Sequence, residues 1–295
     1  MPEAKIGVIG GSGLYNMEGL TEVEKVKIST PFGEPSGAIM LGNLEGVRVA
    51  FLPRHGEGHR ISPSELPAKA NIYALKSLGV ERIVSVSAVG SLKEEIKPLD
   101  VVIPDQIIDC TRGRASTFFT DGIVGHVSLA EPFCPVLSQL SFEASNKVGA
   151  EVHKGGTYLV TEGPQFSTKA ESQLYRSWGA DVIAMTALPE AKLAREAEIC
   201  YAIIAFVTDY DCWHPSCESV TTEMILINLR KGIDTVKGIL KLLLPSIPQK
   251  RDCACASALE YAIATEAKYI PEEKRKELGL LIDKYLARKE DVSQA

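Results

Sequence analysis

The run from Ile199 to Phe206 has no charged residue, which predicts a strand buried inside the protein. Asp209 and Asp211 follow it in the stretch Val207-Thr208-Asp209-Tyr210-Asp211-Cys212-Trp213. If strand geometry persists that far, side-chain alternation directs both carboxylates to the same side. Two carboxylates at the end of a buried strand are costly unless something pairs with them. A purine is one candidate partner, with one acid facing N7 and the other facing the exocyclic amine.

Strands alternate with helices along most of the chain, which predicts one three-layer α/β domain over residues 1–248. Residues 249–295 differ in character and predict a C-terminal helical extension, packed on the same domain or on a neighbouring subunit. The predicted strands are 5–9, 25–29, 38–41, 47–52, 82–87, 101–109, 156–161, 181–184 and 199–206. The predicted helices are 64–78, 134–148, 168–178, 187–198 and 221–244, with a turn at 88–91 and a long functional loop at 112–129.

Composition excludes several classes of protein. The chain has 295 residues, of which 45% are hydrophobic and 24% charged, as in soluble globular proteins. Its net charge of −6 gives no reason to expect a nucleic-acid partner. No apolar run has the length of a membrane span, and the N-terminus lacks the features of a signal peptide. We therefore expect a cytoplasmic protein that binds neither nucleic acid nor membrane.

Two glycine-containing turns are candidate anion sites. Gly10-Gly11-Ser12-Gly13 follows the first predicted strand and can expose backbone N–H groups to an anion. It lacks the third glycine of the dinucleotide fingerprint, and a purely structural turn is the alternative. Pro53-Arg54-His55-Gly56 places a guanidinium fork beside a titratable donor, which suits an oxyanion, although a solvated loop is the alternative.

The seven cysteines give a weaker signal. Free buried thiols are the simplest interpretation for a cytosolic protein. Cys253 and Cys255 form a Cys-x-Cys pair, for which a disulfide or a redox role is the alternative. A zinc site is not expected, because no Cys or His pair stands at finger-like spacing around it.

Together and in order, these motifs resemble the trimeric purine nucleoside phosphorylase superfamily and, within it, the methylthioadenosine phosphorylases. The resemblance covers roughly residues 5–248. It rests on the stretches 10–14 (GGSGL), 53–56 (PRHG), 87–92 (SAVGSL), 130–135 (AEPFCP), 161–167 (TEGPQFS), 185–186 (MT) and 208–213 (TDYDCW).

The resemblance implies a fold, a reaction and an assembly. The fold is the nucleoside phosphorylase α/β sandwich around a mixed, partly barrel-like sheet flanked by helices. The enzyme is a pentosyltransferase of purine and methionine salvage, which converts methylthioadenosine and phosphate to adenine and 5-methylthioribose 1-phosphate. Inorganic phosphate is a co-substrate, and no metal or organic cofactor is expected. The assembly is a homotrimer, or a homohexamer made of two trimers.

The resemblance also assigns site residues. Phosphate binds Ser12, Arg54, His55, Ser87, the Ala88 backbone and Thr186. Substrate binds Phe166, Ser167, Met185, Asp209, Asp211 and His126, the last reaching the 5' end of a neighbouring subunit's substrate. Ser167 and Thr222 tune specificity.

The chemistry of the reaction suits these residue types. Phosphorolysis separates C1' from N9 through a cationic sugar, as in glycoside cleavage, and adenine leaves poorly as an anion. Asp209, with its pKa raised by burial, would be the acid at N7. Asp211 would accept a hydrogen bond from the 6-amino group, which favours adenine over a 6-oxopurine. The alternatives are a purine nucleoside phosphorylase of broader base preference and a non-catalytic purine-nucleoside-binding protein.

Overall fold

One mixed sheet of eleven strands organises the computed structural model, which describes residues 3–11, 14, 17–215 and 221–293. The strands are β1 Ile6–Gly10, β2 Thr21–Val26, β3 Ile39–Leu44, β4 Val47–Pro53, β5 Arg82–Ser91, β6 Val101–Ile103, β7 Gln106–Cys110, β8 Val152–Lys154, β9 Thr157–Thr161, β10 Val182–Ala184 and β11 Cys200–Asp209. The α-helices are α1 Ala68–Ser77, α2 Pro135–Val148, α3 Lys169–Ser177, α4 Glu190–Glu196, α5 Thr222–Ser246 and α6 Glu272–Ser293.

The sheet branches at its central strand, β5. The strands β1 and β11 pair with β5 in parallel, and β10 pairs with its C-terminal end in antiparallel orientation. From β5, one path runs through β1, β4 and β3 to β2, and a second runs through β10 and β9 to β7. A third path runs through β11 and β6 to β8. The sheet is mixed, as predicted, but its described strands do not close into a barrel.

Strand β11 lies between two layers of helices, which confirms the three-layer α/β prediction. All ten of its residues are buried. Tyr201, Ile203 and Ala205 face a core that includes apolar residues of α1 and α4, and the residues between them face a second core with α2 and α5. A strand covered on both faces has no polar side to alternate with, so it appears in sequence as a continuous apolar run.

Two of the strand ends that differ from the sequence-based expectation bear on the site. β5 continues to Ser91, so residues 88–91 are strand and not a turn, because pairing with β11 and β10 continues that far. β11 reaches Asp209 with an irregularity after Val207. Asp211 then lies in a 3-10 turn with φ of +51°, so strand geometry does not extend to the second carboxylate.

The C-terminal segment packs against the rest of the chain. Leu259, Ile263 and Leu278 are buried in the same core as apolar residues of α1 and α4. The Tyr285 hydroxyl donates a hydrogen bond to Glu198, immediately before β11. The division at residue 248 stays a prediction. Among the described helices, none has the length and apolar character needed to cross a membrane.

Candidate active site

Asp209 is the last residue of β11 and is 3% exposed. Its Oδ2 accepts a hydrogen bond from Thr208 Oγ1 at 2.7 Å, and its Oδ1 accepts one from the Asp211 N–H at 2.8 Å. Burial raises the pKa of Asp209 above its usual range, although these two hydrogen bonds act in the opposite direction. The carboxyl group is thus biased toward its protonated form, as a general acid requires.

Asp211 is buried close to Asp209, although not by strand alternation. The turn after β11 directs the Asp211 N–H at Asp209 and leaves Asp211 5% exposed. Burial also raises the pKa of Asp211. Two buried carboxyl groups therefore lie side by side at the C-terminal end of β11, where burial disfavours the charged form of each.

Gly90 provides the space for this pair of acids. A Cβ atom at Gly90 would lie 2.9 Å from Asp209 Oδ1 and 3.2 Å from Ile183 Cγ2. Asn228 of α5 supports the strand end from the other side, where its Nδ2 donates to the Thr208 carbonyl at 2.7 Å. The position of Asp209 therefore depends on β5, β11 and α5 together.

Arg54, directly after β4, is 2% exposed and pairs with Glu190 at the start of α4. Its Nε and Nη2 donate to the two Glu190 carboxylate oxygens at 2.6 and 3.1 Å. Nη2 also donates to Ser85 Oγ at 2.6 Å, and Nη1 to the Val86 carbonyl at 2.8 Å. Four of its five N–H groups are thus directed at protein acceptors, which leaves one for a ligand.

Each group of this buried ion pair keeps the other in its charged form. Burial alone would lower the pKa of Arg54, but the Glu190 carboxylate raises it above its usual value. Burial alone would raise the pKa of Glu190, but Arg54 and a hydrogen bond from the Tyr201 hydroxyl at 2.8 Å lower it. Both groups therefore stay ionised inside the protein.

His55 is neutral at physiological pH. Burial and the adjacent Arg54 charge lower its pKa to about 4. Its Nδ1 lies 2.8 Å from the Ile61 carbonyl, which can only accept a hydrogen bond, so Nδ1 carries the proton and Nε2 is an acceptor. The sequence suggested a donor of variable charge. The structure instead provides an acceptor suited to the O–H of a protonated oxyanion.

Three hydroxyl groups form a chain near Arg54. Thr186 Oγ1 donates to Ser87 Oγ at 2.9 Å and lies 3.0 Å from the Tyr158 hydroxyl. Ser87 is 3% exposed, Tyr158 is fully buried, and Thr186 is partly exposed. The predicted phosphate residues Ser87 and Thr186 are therefore in direct contact.

A gap in the sheet brings this hydroxyl chain close to Arg54. Along β5, pairing with β1 ends at Ser85 and pairing with β10 begins only at Gly90, which leaves the gap between them. The Val86 carbonyl faces the gap and accepts from Arg54, and strand alternation places the Ala88 N–H on the same edge. Such a divergence of neighbouring strands at their carboxyl ends is where α/β proteins bind ligands.

Arg114, from the long loop, holds two of the predicted site segments together. Its Nη1 donates to the carbonyls of Met185 and Leu188 at 2.9 and 2.8 Å. Its Nη2 donates to the Glu162 carbonyl at 2.6 Å, and its Nε lies 3.2 Å from Glu162 Oε1. The Met185 side chain leans over Gly163, where a Cβ atom would lie 2.4 Å from Met185 Sδ.

The remaining predicted site residues are less enclosed in this single chain. Phe166 is 43% exposed, and Ser167 is partly exposed with its carbonyl accepting from Cys212 Sγ at 3.2 Å. Thr222 is exposed at the start of α5. His126 is exposed on the long loop, where its backbone N–H donates to the Ala262 carbonyl at 2.8 Å. Ser12 lies outside the described residues.

Sequence reasoning missed Glu190, Tyr158 and Arg114. Glu190 is the first residue of α4, where an acidic residue is common, and Tyr158 lies in the mostly apolar strand β9. The one available signal is physical: a buried Arg54 requires a buried counter-charge. Nothing in the sequence says which carboxylate supplies it.

The strands diverge beside a buried cation and a chain of hydroxyl groups, which suit an anion. Two buried acids lie further along the same strands and suit a polar ring. Residues 5–245 match the model of the Phosphorylase superfamily, and the chain belongs to this family.

Individual relatives point to one branch of that superfamily. The chain is 54% identical to the S-methyl-5'-thioadenosine phosphorylase of Koribacter versatilis, with 96% of this chain and 97% of the relative covered. It is also 54% identical to the protein of the same name from Geobacter sulfurreducens, over 96% of this chain and the whole relative.

Solved structures agree with these relatives. A methylthioadenosine phosphorylase from an antarctic soil metagenomic library is 51% identical, with a TM-score of 0.92 over 96% of this chain and all of that chain. A doubly mutated adenosine/methylthioadenosine phosphorylase from Schistosoma mansoni, solved with adenine, is 34% identical, with a TM-score of 0.82 over 89% of this chain and all of that chain.

Proposed function

We propose that this protein is a pentosyltransferase that cleaves 5'-methylthioadenosine with phosphate to give adenine and 5-methylthioribose 1-phosphate. The observation that carries the proposal is the spacing of two different groups along β5. The Ser87 hydroxyl meets Thr186 at the sheet gap, and Gly90 pairs with Asp209 three residues further on. This separation of about 10 Å along the strand leaves room for a pentose between an anion and a base.

Phosphate is held at the gap beneath C1' of the sugar. Ser87, Thr186, the Ala88 N–H, Ser12 and the free N–H of Arg54 donate to its oxygens. His55 Nε2 accepts the proton of a hydrogen phosphate. A nucleophile fixed in this way loses little entropy in the transition state, and its charge stabilises the cationic sugar.

Asp209 delivers a proton to N7 of the departing adenine. Its raised pKa supports this role, since an acid with an ordinary Asp pKa would be fully ionised at neutral pH. Asp211 accepts a hydrogen bond from the 6-amino group. Ribose lies on Met185, and Phe166 and Ser167 border the base and sugar, with Ser167 and Thr222 setting specificity near the 5' substituent.

The working form is a homo-oligomer in the cytoplasm, a trimer or a dimer of trimers, that needs no metal or organic cofactor for the reaction. Phe166, Leu174 and Trp178 are each more than 40% exposed in the single chain, and such apolar side chains favour burial against a partner. His126 reaches the substrate of the neighbouring subunit. Light scattering after size exclusion gives the number of subunits.

Base release with and without phosphate tests the proposed reaction. Methylthioadenosine, adenosine and inosine are each offered to the purified protein, and the products are separated by chromatography. Phosphate-dependent release of adenine from methylthioadenosine, with little hypoxanthine from inosine, supports the proposal. Hypoxanthine as the main product favours the broader purine nucleoside phosphorylase. Cleavage without phosphate, or binding without any cleavage, contradicts the phosphorylase assignment.

A further inference from the structure

Four cysteines from three distant segments meet at the far end of β11. Cys134 directly precedes α2, Cys200 opens β11, and Cys253 and Cys255 lie at the 3-10 helix Ala254–Ser257. Their four Sγ atoms all lie within 4.8 Å of one another. Cys134, Cys200 and Cys255 are each at most 3% exposed. Among the described residues, this is the one group of three or more His, Cys, Asp or Glu side chains that converges in this way.

The spacing of the sulfur atoms suits a metal ion better than covalent pairing. The Sγ atoms of Cys200 and Cys253 are 3.3 Å apart, whereas a disulfide bond is about 2.05 Å long. A tetrahedral zinc ion with Zn–S bonds of about 2.3 Å separates its sulfur ligands by about 3.8 Å. We propose that Cys134, Cys200, Cys253 and Cys255 bind one Zn²⁺ ion per chain through four thiolates.

Nearby cations offset part of the charge of such a site. Four thiolates and one Zn²⁺ carry a net charge of −2, because each cysteine releases its proton to solvent on binding. Arg82, Lys250 and Arg251 line a small cavity together with Cys134, Cys200 and Cys253. Arg82 is 5% exposed, so its positive charge lies inside the protein beside the sulfur atoms. Arg82 and Arg251 also pair with Glu81, and Lys250 pairs with Asp252, so the cations exceed these carboxylates by one charge.

Hydrogen bonds hold Cys134, Cys200 and the chain before Cys253 in place. The Cys134 N–H donates to the Tyr201 carbonyl at 2.8 Å, and the Cys200 N–H to the Glu81 carbonyl at 2.9 Å. Arg82 Nη2 donates to the carbonyls of Pro248 and Gln249 at 2.6 and 2.9 Å. These last two contacts fix the chain just before the Cys-x-Cys pair, so the site needs little rearrangement to close.

The zinc site is structural. Four protein ligands complete the tetrahedron and leave no position open for a substrate. Cys200 and Asp209 stand at opposite ends of β11, about 30 Å apart along the strand, so the ion takes no part in the chemistry at Asp209. Its effect is to fasten the C-terminal segment, through Cys253 and Cys255, to the start of α2 and of β11.

Metal analysis of the full-length enzyme, purified without chelator, tests the site. One zinc ion per chain is expected by plasma mass spectrometry. Replacement by Co²⁺ is expected to give thiolate-to-cobalt charge transfer and the strong visible bands of tetrahedral coordination. The double variant Cys253→Ser/Cys255→Ser is expected to lose both signals and to unfold at a lower temperature. Cys110→Ser and Cys212→Ser, outside the cluster, are matched controls that keep them.

Two results would overturn the proposal. One is a protein with four free thiols that takes up neither Zn²⁺ nor Co²⁺ under reducing conditions. The other is disulfide pairing among the four cysteines, found by mass spectrometry after alkylation without reductant, with Co²⁺ still not bound after reduction. Both are measured on the wild-type protein, so the outcome does not depend on whether the variants fold.

Discussion

The Arg54 guanidinium and the Glu190 carboxylate form a two-bond ion pair in the interior, with Nε–Oε1 at 2.6 Å and Nη2–Oε2 at 3.1 Å. This pairing holds the plane of the guanidinium so that Nη1 reaches the Val86 carbonyl at the gap of the sheet. Glu190 therefore acts on the proposed phosphate site through Arg54, without needing to contact the ligand. The pair also explains how a full positive charge persists at a position that is 2% exposed.

Glu190→Gln tests this positioning role. Gln keeps the shape but removes the charge, which leaves Arg54 buried without a counter-ion. We expect the free energy of unfolding to fall by about 3 kcal/mol, the lower end of the range for breaking a buried pair. Because phosphate can then neutralise Arg54, added phosphate should raise the melting temperature of the variant more than that of wild type.

Glu57→Gln is the matched control, since Glu57 is exposed in the loop after Arg54. Its melting temperature and its response to phosphate should equal those of the wild type. Equal stabilisation of Glu190→Gln and wild type by phosphate would contradict a link between Glu190 and the anion site.

His55 makes the stability of the ligand-free protein depend on pH. Its folded-state pKa of about 4 lies below the unfolded value of about 6.5, so the unfolded chain binds more protons between these values. The contribution of His55 is therefore fully present above about pH 6.5 and is lost as the pH falls toward 4. In urea unfolding at a series of pH values, His55→Asn should flatten this part of the profile. An unchanged slope would exclude His55 as its source.

Asp211 should cost stability at neutral pH. Burial raises its folded-state pKa, so its favourable contribution is present below the unfolded value of about 3.9 and is lost as the pH rises through the folded value. Asp211→Asn removes that penalty and should stabilise the ligand-free protein at pH 7. The gain should shrink at acid pH, and the variant should lose preference for adenine over hypoxanthine. A variant less stable than wild type at pH 7 would contradict the argument.

Asp209→Asn separates acid catalysis from binding. Turnover of methylthioadenosine should fall by about 10²- to 10⁴-fold, the usual contribution of a general acid. A nucleoside whose leaving group departs without protonation should lose far less. In the wild-type enzyme, turnover of methylthioadenosine should decline as the pH rises through the pKa of Asp209. Equal losses on both substrates would remove Asp209 from the acid role.

Most of the chain order of strands and helices was predictable because each element has its own hydrophobic period and its own terminating residues. The exceptions are β6 and β7, predicted as one strand over 101–109, and the short strand β8, which was not predicted. β11 was the clearest case: a strand covered on both faces is apolar throughout, and that pattern needs no knowledge of its partners. Residues 88–91 were misread as a turn because small residues also fit a strand that packs tightly against two neighbours. The branching of the sheet at β5 was not predictable, since pairing is set by contacts between distant segments.

The same distinction applies to the sites. Asp209 and Arg54 could be predicted as site residues because polar groups at strand ends stand out in sequence. Glu190 and Arg114 make their contacts across long sequence separations and do not stand out in this way. The four-cysteine cluster is the extreme case. Its ligands come from residues 134, 200, 253 and 255, so spacing rules for metal motifs, which read one short segment, gave no reason to expect zinc.

Gly90 is the residue on which the position of Asp209 most directly depends. A Cβ at this position would lie 2.9 Å from Asp209 Oδ1, closer than that atom can accept without moving, and 3.2 Å from Ile183 Cγ2. Gly90→Ala should therefore displace the Asp209 carboxyl group and reduce turnover of methylthioadenosine by at least about 10²-fold, comparable to loss of the acid itself. Phosphate protection against thermal unfolding should persist, because Arg54 and Thr186 are not affected.

Gly238→Ala in α5, where the nearest atoms to a new Cβ are at 3.4 Å, is the control and should keep full activity. Loss of phosphate protection in Gly90→Ala would mean that the base and phosphate sites are not independent.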